Sequence, residues 1–222
     1  MQGLQHEDGD FDSVKVAYYV VKALSCLGLK PLKPLTPIMR SFNLILNGLV
    51  HSSTDVEAIS EIETLHLTVE LFFDQKLSLD ADKVVKHLLS LKNSDGSFGV
   101  RRHSRIASTY YALGILRILN SDDQLPKDTL TWIRRCEVPS GGFVSSPDVS
   151  TGFLEDTYYG VKLLKIFNET PKYLQETLKY VAKFQNPNGG FRRSIFLGIS
   201  TLESSFQAIS VIETLLSSRK NQ

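Results

Sequence analysis

The chain has only two cysteines in 222 residues, Cys26 and Cys136. They form no CxxC pair and give no disulfide framework, so buried thiols in a reducing compartment are the expectation. Charge of one sign is missing too. Lys and Arg total 25 against 24 Asp and Glu, a net charge of +1, whereas a general nucleic-acid surface would be strongly basic. No uninterrupted apolar run reaches the ~18 residues of a membrane span. The opening MQGLQHEDGD is polar and acidic, unlike a signal peptide, and a cytoplasmic location is expected. There is no Walker-type loop, GxGxxG turn or GxSxG elbow, and His6, His51, His66 and His87 lack metal-ligand spacing. No segment reads as a convincing strand.

What the chain does have is an internal repeat. Leu4–Phe11 (LQHEDGDF), Leu91–Phe98 (LKNSDGSF), Cys136–Phe143 (CEVPSGGF) and Phe184–Phe191 (FQNPNGGF) share one pattern, each placed before an amphipathic segment. Phe98 to Phe143 is 45 residues, Phe143 to Phe191 is 48, and Phe11 to Phe98 is 87, close to two periods. A worn copy therefore belongs between the first two, with Asn47-Gly48-Leu49 in its turn and Glu63-Thr64-Leu65-His66 opening its helix. Such periods mean stacked units, because one unit cannot bury its own apolar face. One continuous domain over residues 1–222 is expected.

Hydrophobic spacing and capping residues predict nine helices: about Ser13–Leu27, Ile38–Leu46, Glu61–Gln75 (with Ser60 as cap), Asp80–Leu91, Ser104–Leu119, Leu125–Arg135, Asp156–Phe167, Pro171–Phe184, and a last one capped by Ser200 and ending near Leu216. Aligning the helices that follow the glycine turns puts Tyr18, Leu65, Tyr110, Tyr158 and Phe206 in one column, expected to pack helix on helix. The next column is Tyr19, His66, Tyr111, Tyr159 and Gln207, a mixture expected to face a cavity or an inter-repeat hydrogen bond. Alternation of two helix types predicts an inner layer wrapped by an outer one.

The GSF and GGF turns, each followed by a helix start of the Asp156-Thr157-Tyr158-Tyr159 kind, resemble the repeats of protein prenyltransferase β-subunits and terpene cyclases. The resemblance spans nearly the whole chain. It implies an all-α fold, an α/α toroid of about five helical hairpins, with an isoprenoid bound in an aromatic-lined funnel and its diphosphate held by basic residues. In the transferases one inner helix opens D-x-C-Y and the next supplies a His in the matching place; the three hold a zinc ion that turns a thiol into a thiolate nucleophile. Here Asp156 matches the Asp, but Tyr158 stands where the Cys should be and Ser204 where the His should be. One ligand of three is no zinc site, so no metal or other cofactor is expected. Asp156 remains the one catalytic candidate, beside its plainer role as an acid in the first turn of a helix. The DxDD acid of the class II cyclases is absent, and Ser121-Asp122-Asp123 reads as a loop.

The densest basic cluster is Arg101-Arg102-His103-Ser104-Arg105. Setting Ser108 at the position of the transferase Asp places Arg102, Arg105 and Tyr111 where the resemblance implies diphosphate donors. Arg101, Arg192 and Arg193 can join them, because guanidinium forks match phosphate oxygens. Three functional classes stay open: a binder of isoprenoid diphosphate, of the prenyltransferase type if it is an enzyme; a non-catalytic helical-repeat module binding a protein on its concave face; and a structural domain of a larger assembly. Five inner helices against four outer ones predict an apolar flank at each end, owned by Val16, Val20, Leu24, Ile209, Ile212 and Leu216, and hence a homodimer or a helical partner subunit.

Overall fold

The structure, a computed structural model, describes residues 4–46, 61–100, 103–121 and 125–219. The proposed turn at Asn47-Gly48-Leu49, the cap Ser60, His51 and the basic residues Arg101 and Arg102 lie outside these, as do Asp122 and Asp123. The described residues form nine α-helices: α1 Val14–Cys26, α2 Thr36–Leu46, α3 Glu61–Asp74, α4 Ala81–Ser90, α5 Arg105–Ile118, α6 Lys127–Arg135, α7 Leu154–Ile166, α8 Leu174–Ala182 and α9 Leu202–Arg219. They contain no strand, only three isolated bridges, Lys92 with Phe98, Glu137 with Phe143 and Gln185 with Phe191. Among them no helix is long and apolar enough to cross a membrane.

The chain divides into two compact units, Met1–Leu91 with Gly114–Asp123, and Lys92–Leu113 with Gln124–Gln222. In the first, α1 and α2 pack on α3, and α2 also meets α4. Ala17, Val20, Val21 and Leu24 are the buried face of α1, and Phe42 meets Phe72 at a tilt of 57° with ring centroids 5.0 Å apart. Val20 and Leu24, expected on an open flank, are thus core residues; α3 covers that side of α1. In the second unit α7 packs on α6 and α9, and α8 on α9. Its core holds Phe98, Trp132, Phe143, Leu154, Leu163, Leu164, Phe184 and Val211, all at most 1% exposed.

The bridges belong to the repeated turn, and its hydrogen bonds recur in all four copies. An N–H on the way in donates to a carbonyl four residues on: His6 to Asp10, Asn93 to Ser97, Val138 to Gly142 and Asn186 to Gly190, at 2.8–3.0 Å. The glycine between, Gly9, Gly96, Gly141 or Gly189, has φ of +83° to +104°, where a Cβ is strained. Gly141 is doubly constrained, since a Cβ there would sit 2.2 Å from the Glu176 carbonyl oxygen at the start of α8. The following Phe then finds its acceptor on the next inner helix: Phe98 N–H donates to Thr109 Oγ1, Phe143 to Thr157 Oγ1 and Phe191 to Ser205 Oγ, at 3.0–3.2 Å. In the first copy the aligned residue is Ala17, which has no hydroxyl, and Phe11 N–H turns to Asp10 Oδ1 at 2.9 Å instead. A Ser/Thr column just before the aromatic pair is therefore part of the repeat, tying each turn to its helix.

Helix boundaries follow the expected caps at Ser13 and Asp80; α2 starts two residues early at Thr36, α6 two late at Lys127, and α9 runs on to Arg219, and three further starts depart for a visible reason. Helix α7 begins at Leu154, two residues early, because Asp156 caps it from within: its Oδ2 accepts the Phe153 N–H at 2.9 Å, and the Leu154 N–H donates to the Arg193 carbonyl. Helix α8 begins at Leu174 rather than at Pro171, because Tyr173, at φ −108° and ψ 55°, lies outside helical geometry; the Lys172 N–H before it donates to Glu137 Oε2 at 2.7 Å. In α9 Thr201, not Ser200, accepts the Ser204 N–H at 3.0 Å; Ser200 instead bonds Asn186 and Asn188 across the turn.

Candidate functional site

The second unit gathers its tyrosines. Tyr110 and Tyr111 on α5 and Tyr158 and Tyr159 on α7 share the aromatic columns of the repeat, and their rings meet. Tyr110 lies 6.2 Å from Tyr158 and 5.2 Å from Tyr159, and Tyr111 lies 5.6 Å from Tyr159. The Tyr111 and Tyr159 hydroxyls share a hydrogen bond of 2.9 Å. All four are partly exposed, so the cluster presents an aromatic wall rather than a closed core. Lys162, one turn beyond Tyr158, lies with its ammonium 5.7 Å from that ring. Burial and the neighbouring Lys165 hold it below the ordinary lysine range. Sequence reasoning missed Lys162; its position four residues after Tyr158 was the available signal.

Asp156 sits beside this wall, 2% exposed. Besides the Phe153 N–H it accepts the Ser104 hydroxyl at 3.1 Å, so it joins the first turn of α7 to the loop entering α5. A second backbone bond, Ile106 N–H to the Ser145 carbonyl at 3.0 Å, ties the same two regions. Burial pushes the Asp156 carboxyl up to about 6; the Phe153 N–H, the Ser104 hydroxyl and Arg193 pull the other way, while Glu155 adds to the rise. Both carboxylate oxygens already have donors, and Tyr158 and Ser204 offer a phenol and an alcohol where zinc needs thiolate and imidazole. These residues do not fit the ion. Among the described residues no three His, Cys, Asp or Glu side chains converge as a metal site. The Cys136 thiol is buried, and that burial pushes it well above the ordinary range, so it is no thiolate nucleophile.

The described arginines expected at a diphosphate have protein partners. Arg105 bonds Asp95 Oδ2 at 2.5 Å and the Ser97 hydroxyl, and its guanidinium lies over the Trp132 ring at 5.3 Å. Burial would raise the Asp95 carboxyl, but hydrogen bonds from Ser97 and Arg105 prevail and hold it at about 2. Arg193 grips Glu155 at 2.5–2.9 Å and stacks on Phe153 at 4.2 Å. Arg192 donates to the Lys183 and Ile195 carbonyls.

In the first unit, Tyr19 is 58% exposed and His66 half-buried. His66 Nε2 lies 3.5 Å from Glu70, whose carboxylate also takes the Tyr18 hydroxyl at 2.9 Å and the Lys22 ammonium at 2.7 Å. Burial would raise Glu70, but hydrogen bonds from His66, Lys22 and Tyr18 outweigh it and hold the group at about 2. Tyr18 thus makes a polar bond rather than a purely apolar contact. The columns exchange roles in α9, where Phe206 is 62% exposed and Gln207 only 6%.

A family model described as the prenyltransferase alpha-alpha toroid domain matches residues 2–104 and 99–221. No curated protein matches the chain significantly. Among solved structures the chain is similar to Candida albicans protein geranylgeranyltransferase-I complexed with GGPP, at 19% identity and a TM-score of 0.59, over 81% of this chain and 59% of that one. The chain thus spans less than two thirds of the length of that protein.

Proposed function

We propose, for a chain that belongs to the prenyltransferase alpha-alpha toroid family, that it binds an isoprenoid diphosphate and lays the prenyl tail along the tyrosine wall of α5 and α7. The four partly exposed rings of Tyr110, Tyr111, Tyr158 and Tyr159 carry this proposal. Aromatic faces bury an alkene chain without asking it for hydrogen bonds, and their polar edges tolerate water before the ligand arrives. The similarity to a transferase complexed with GGPP supports it through the fold.

The diphosphate falls to the basic loop before α5. Arg105 and Arg193 each hold a carboxylate already, so Arg101 and Arg102 are the donors assigned to the phosphates, with Tyr111 as a hydroxyl donor. With the zinc ligands of the transferases replaced, binding rather than thiol prenylation is the activity proposed.

Calorimetry with farnesyl and geranylgeranyl diphosphate, with and without zinc, tests this directly. Binding is expected in both conditions. Arg102→Ala should weaken it by about 1.5–3 kcal/mol, the range for charge-assisted hydrogen bonds, with little change in thermal stability. Tyr159→Ala should weaken the longer prenyl chain more than inorganic diphosphate. No heat and no saturation with either ligand would remove the proposal.

A further inference from the structure

The loop between the turn at Gly189 and helix α9 ends in an apolar tip. Phe196, Leu197 and Ile199 are 75%, 83% and 82% exposed. This exposure belongs to the loop itself. One repeat earlier, 48 residues back, the same places are Asp148, Val149 and Thr151, and they are exposed as well. There the next repeat lies alongside, since the Leu154 N–H donates to the Arg193 carbonyl at 3.1 Å. What differs between the two loops is chemistry. One apex shows solvent a carboxylate and hydroxyls, the other three large hydrocarbon side chains.

The stalk beneath the tip is tied by hydrogen bonds. Arg192 donates to the Lys183 and Ile195 carbonyls at 3.3 and 2.9 Å. Asn186 donates to the Gly198 carbonyl at 3.4 Å and the Ser200 hydroxyl at 3.0 Å, and the Thr201 N–H donates to the Phe191 carbonyl at 3.1 Å. The tip is thus held out from the body instead of folding back to bury itself. Its base is cationic. From Lys183 to Leu202 the sequence has Lys183, Arg192 and Arg193 and no Asp or Glu. Arg193 is matched by Glu155, whereas among the described residues no carboxylate pairs with Lys183 or Arg192.

We infer that this loop attaches the chain to an anionic lipid surface, with Phe196, Leu197 and Ile199 entering the acyl boundary and Lys183 and Arg192 meeting the head groups. Large apolar side chains grouped in water mark an interaction site. A narrow tip offers no flat face to a protein, while fluid lipid closes round it. Burial of hydrocarbon and attraction of cations to anionic head groups then act together.

Flotation of the full chain with phosphatidylcholine vesicles containing about a third phosphatidylserine should carry the protein into the lipid layer. Phosphatidylcholine alone should bind at least about tenfold more weakly, and added salt should weaken the anionic case. Phe196→Ser combined with Leu197→Ser should lower the partition coefficient at least about tenfold. Both side chains face solvent, so circular dichroism and lipid-free calorimetry with prenyl diphosphate should be unchanged, and membrane attachment and ligand binding can fail separately. Leu197→Trp reads insertion directly. The one native tryptophan, Trp132, is fully buried, so only the variant's emission should shift to the blue on vesicles and be quenched by acyl-brominated lipid. No partition of the parent, partition unchanged by the double substitution, or variant emission insensitive to the quencher would each overturn the attachment. A tip that captures a protein while vesicles stay unbound would overturn it too.

Discussion

Asp156 shows how one side chain can be structural and titratable together. Its folded-state carboxyl is raised to about 6, from an ordinary value of 3.8, chiefly by burial. A raised acid stabilises the fold fully below its unfolded pKa and loses that contribution as pH climbs through the folded one. Stability from this group therefore declines between about pH 4 and pH 6, by roughly 2–3 kcal/mol at ~1.4 kcal/mol per unit. Asn at 156 keeps an acceptor for the Phe153 N–H and a donor for Ser104 without a charge. Urea unfolding of Asp156→Asn and the parent at pH 4.5 and 7.5 should show the variant gaining on the parent as pH rises. Parallel behaviour would mean that the carboxylate is solvated in solution. Glu70 works in the opposite direction. Held at about 2, it adds stability above its unfolded value and loses it as acid is added. The difference between variant and parent, not the raw pH profile, is thus the informative quantity. The same residue scale carries a compositional prediction. Metal analysis of the purified protein should find no stoichiometric zinc, since phenol and hydroxyl at Tyr158 and Ser204 do not replace thiolate and imidazole. One zinc per chain, lost in Asp156→Ala, would contradict that.

At the scale of the element, the unit of construction is a turn plus the helix it feeds. The turn positions a buried Phe, and the hydroxyl one place before the aromatic pair takes that residue's N–H. Thr157→Val keeps the volume of the side chain and removes the acceptor of Phe143 N–H. A buried unsatisfied amide costs about 1–3 kcal/mol, so a loss of that order in thermal or urea unfolding is expected. Thr157→Ser should restore most of it, and equal losses for Val and Ser would assign the effect to packing instead. Gly160 marks the other end of the same contact. A Cβ there would lie 2.3–2.8 Å from the Phe143 ring, which is itself fully buried. Gly160→Ala should cost about 1–3 kcal/mol through overpacking, despite the better helix propensity of Ala. Stabilisation on this substitution would show that the ring has room to retreat.

For the whole molecule, the proposed ligand would make stability depend on its concentration, because anything that binds only the folded chain adds to its stability by mass action. The thermal midpoint should rise as geranylgeranyl diphosphate is raised between about 1 and 100 μM, and rise less in Arg102→Ala. A level midpoint in the parent would count against prenyl-diphosphate binding.

The repeat, the nine helices of the described residues, most of their ends and the aromatic columns were legible in the residues themselves. Each rests on a local requirement: a glycine at positive φ, a side chain that caps an amide within three residues, an apolar recurrence at helical spacing. The tertiary structure decided whatever depended on who faces whom. Periodicity says that Phe206, Ile209 and Leu216 share a face and that Ala208, Val211 and Leu215 share another, but both are apolar, and only the placement of α7 and α8 shows which is buried. For the same reason Val20 and Leu24 went to the core beside α3. Charge behaved alike. A cluster of basic residues is visible in the chain, yet Arg105 turns to Asp95 and Arg193 to Glu155, because a guanidinium takes the nearest carboxylate the fold provides, and that distance exists only once the chain has folded.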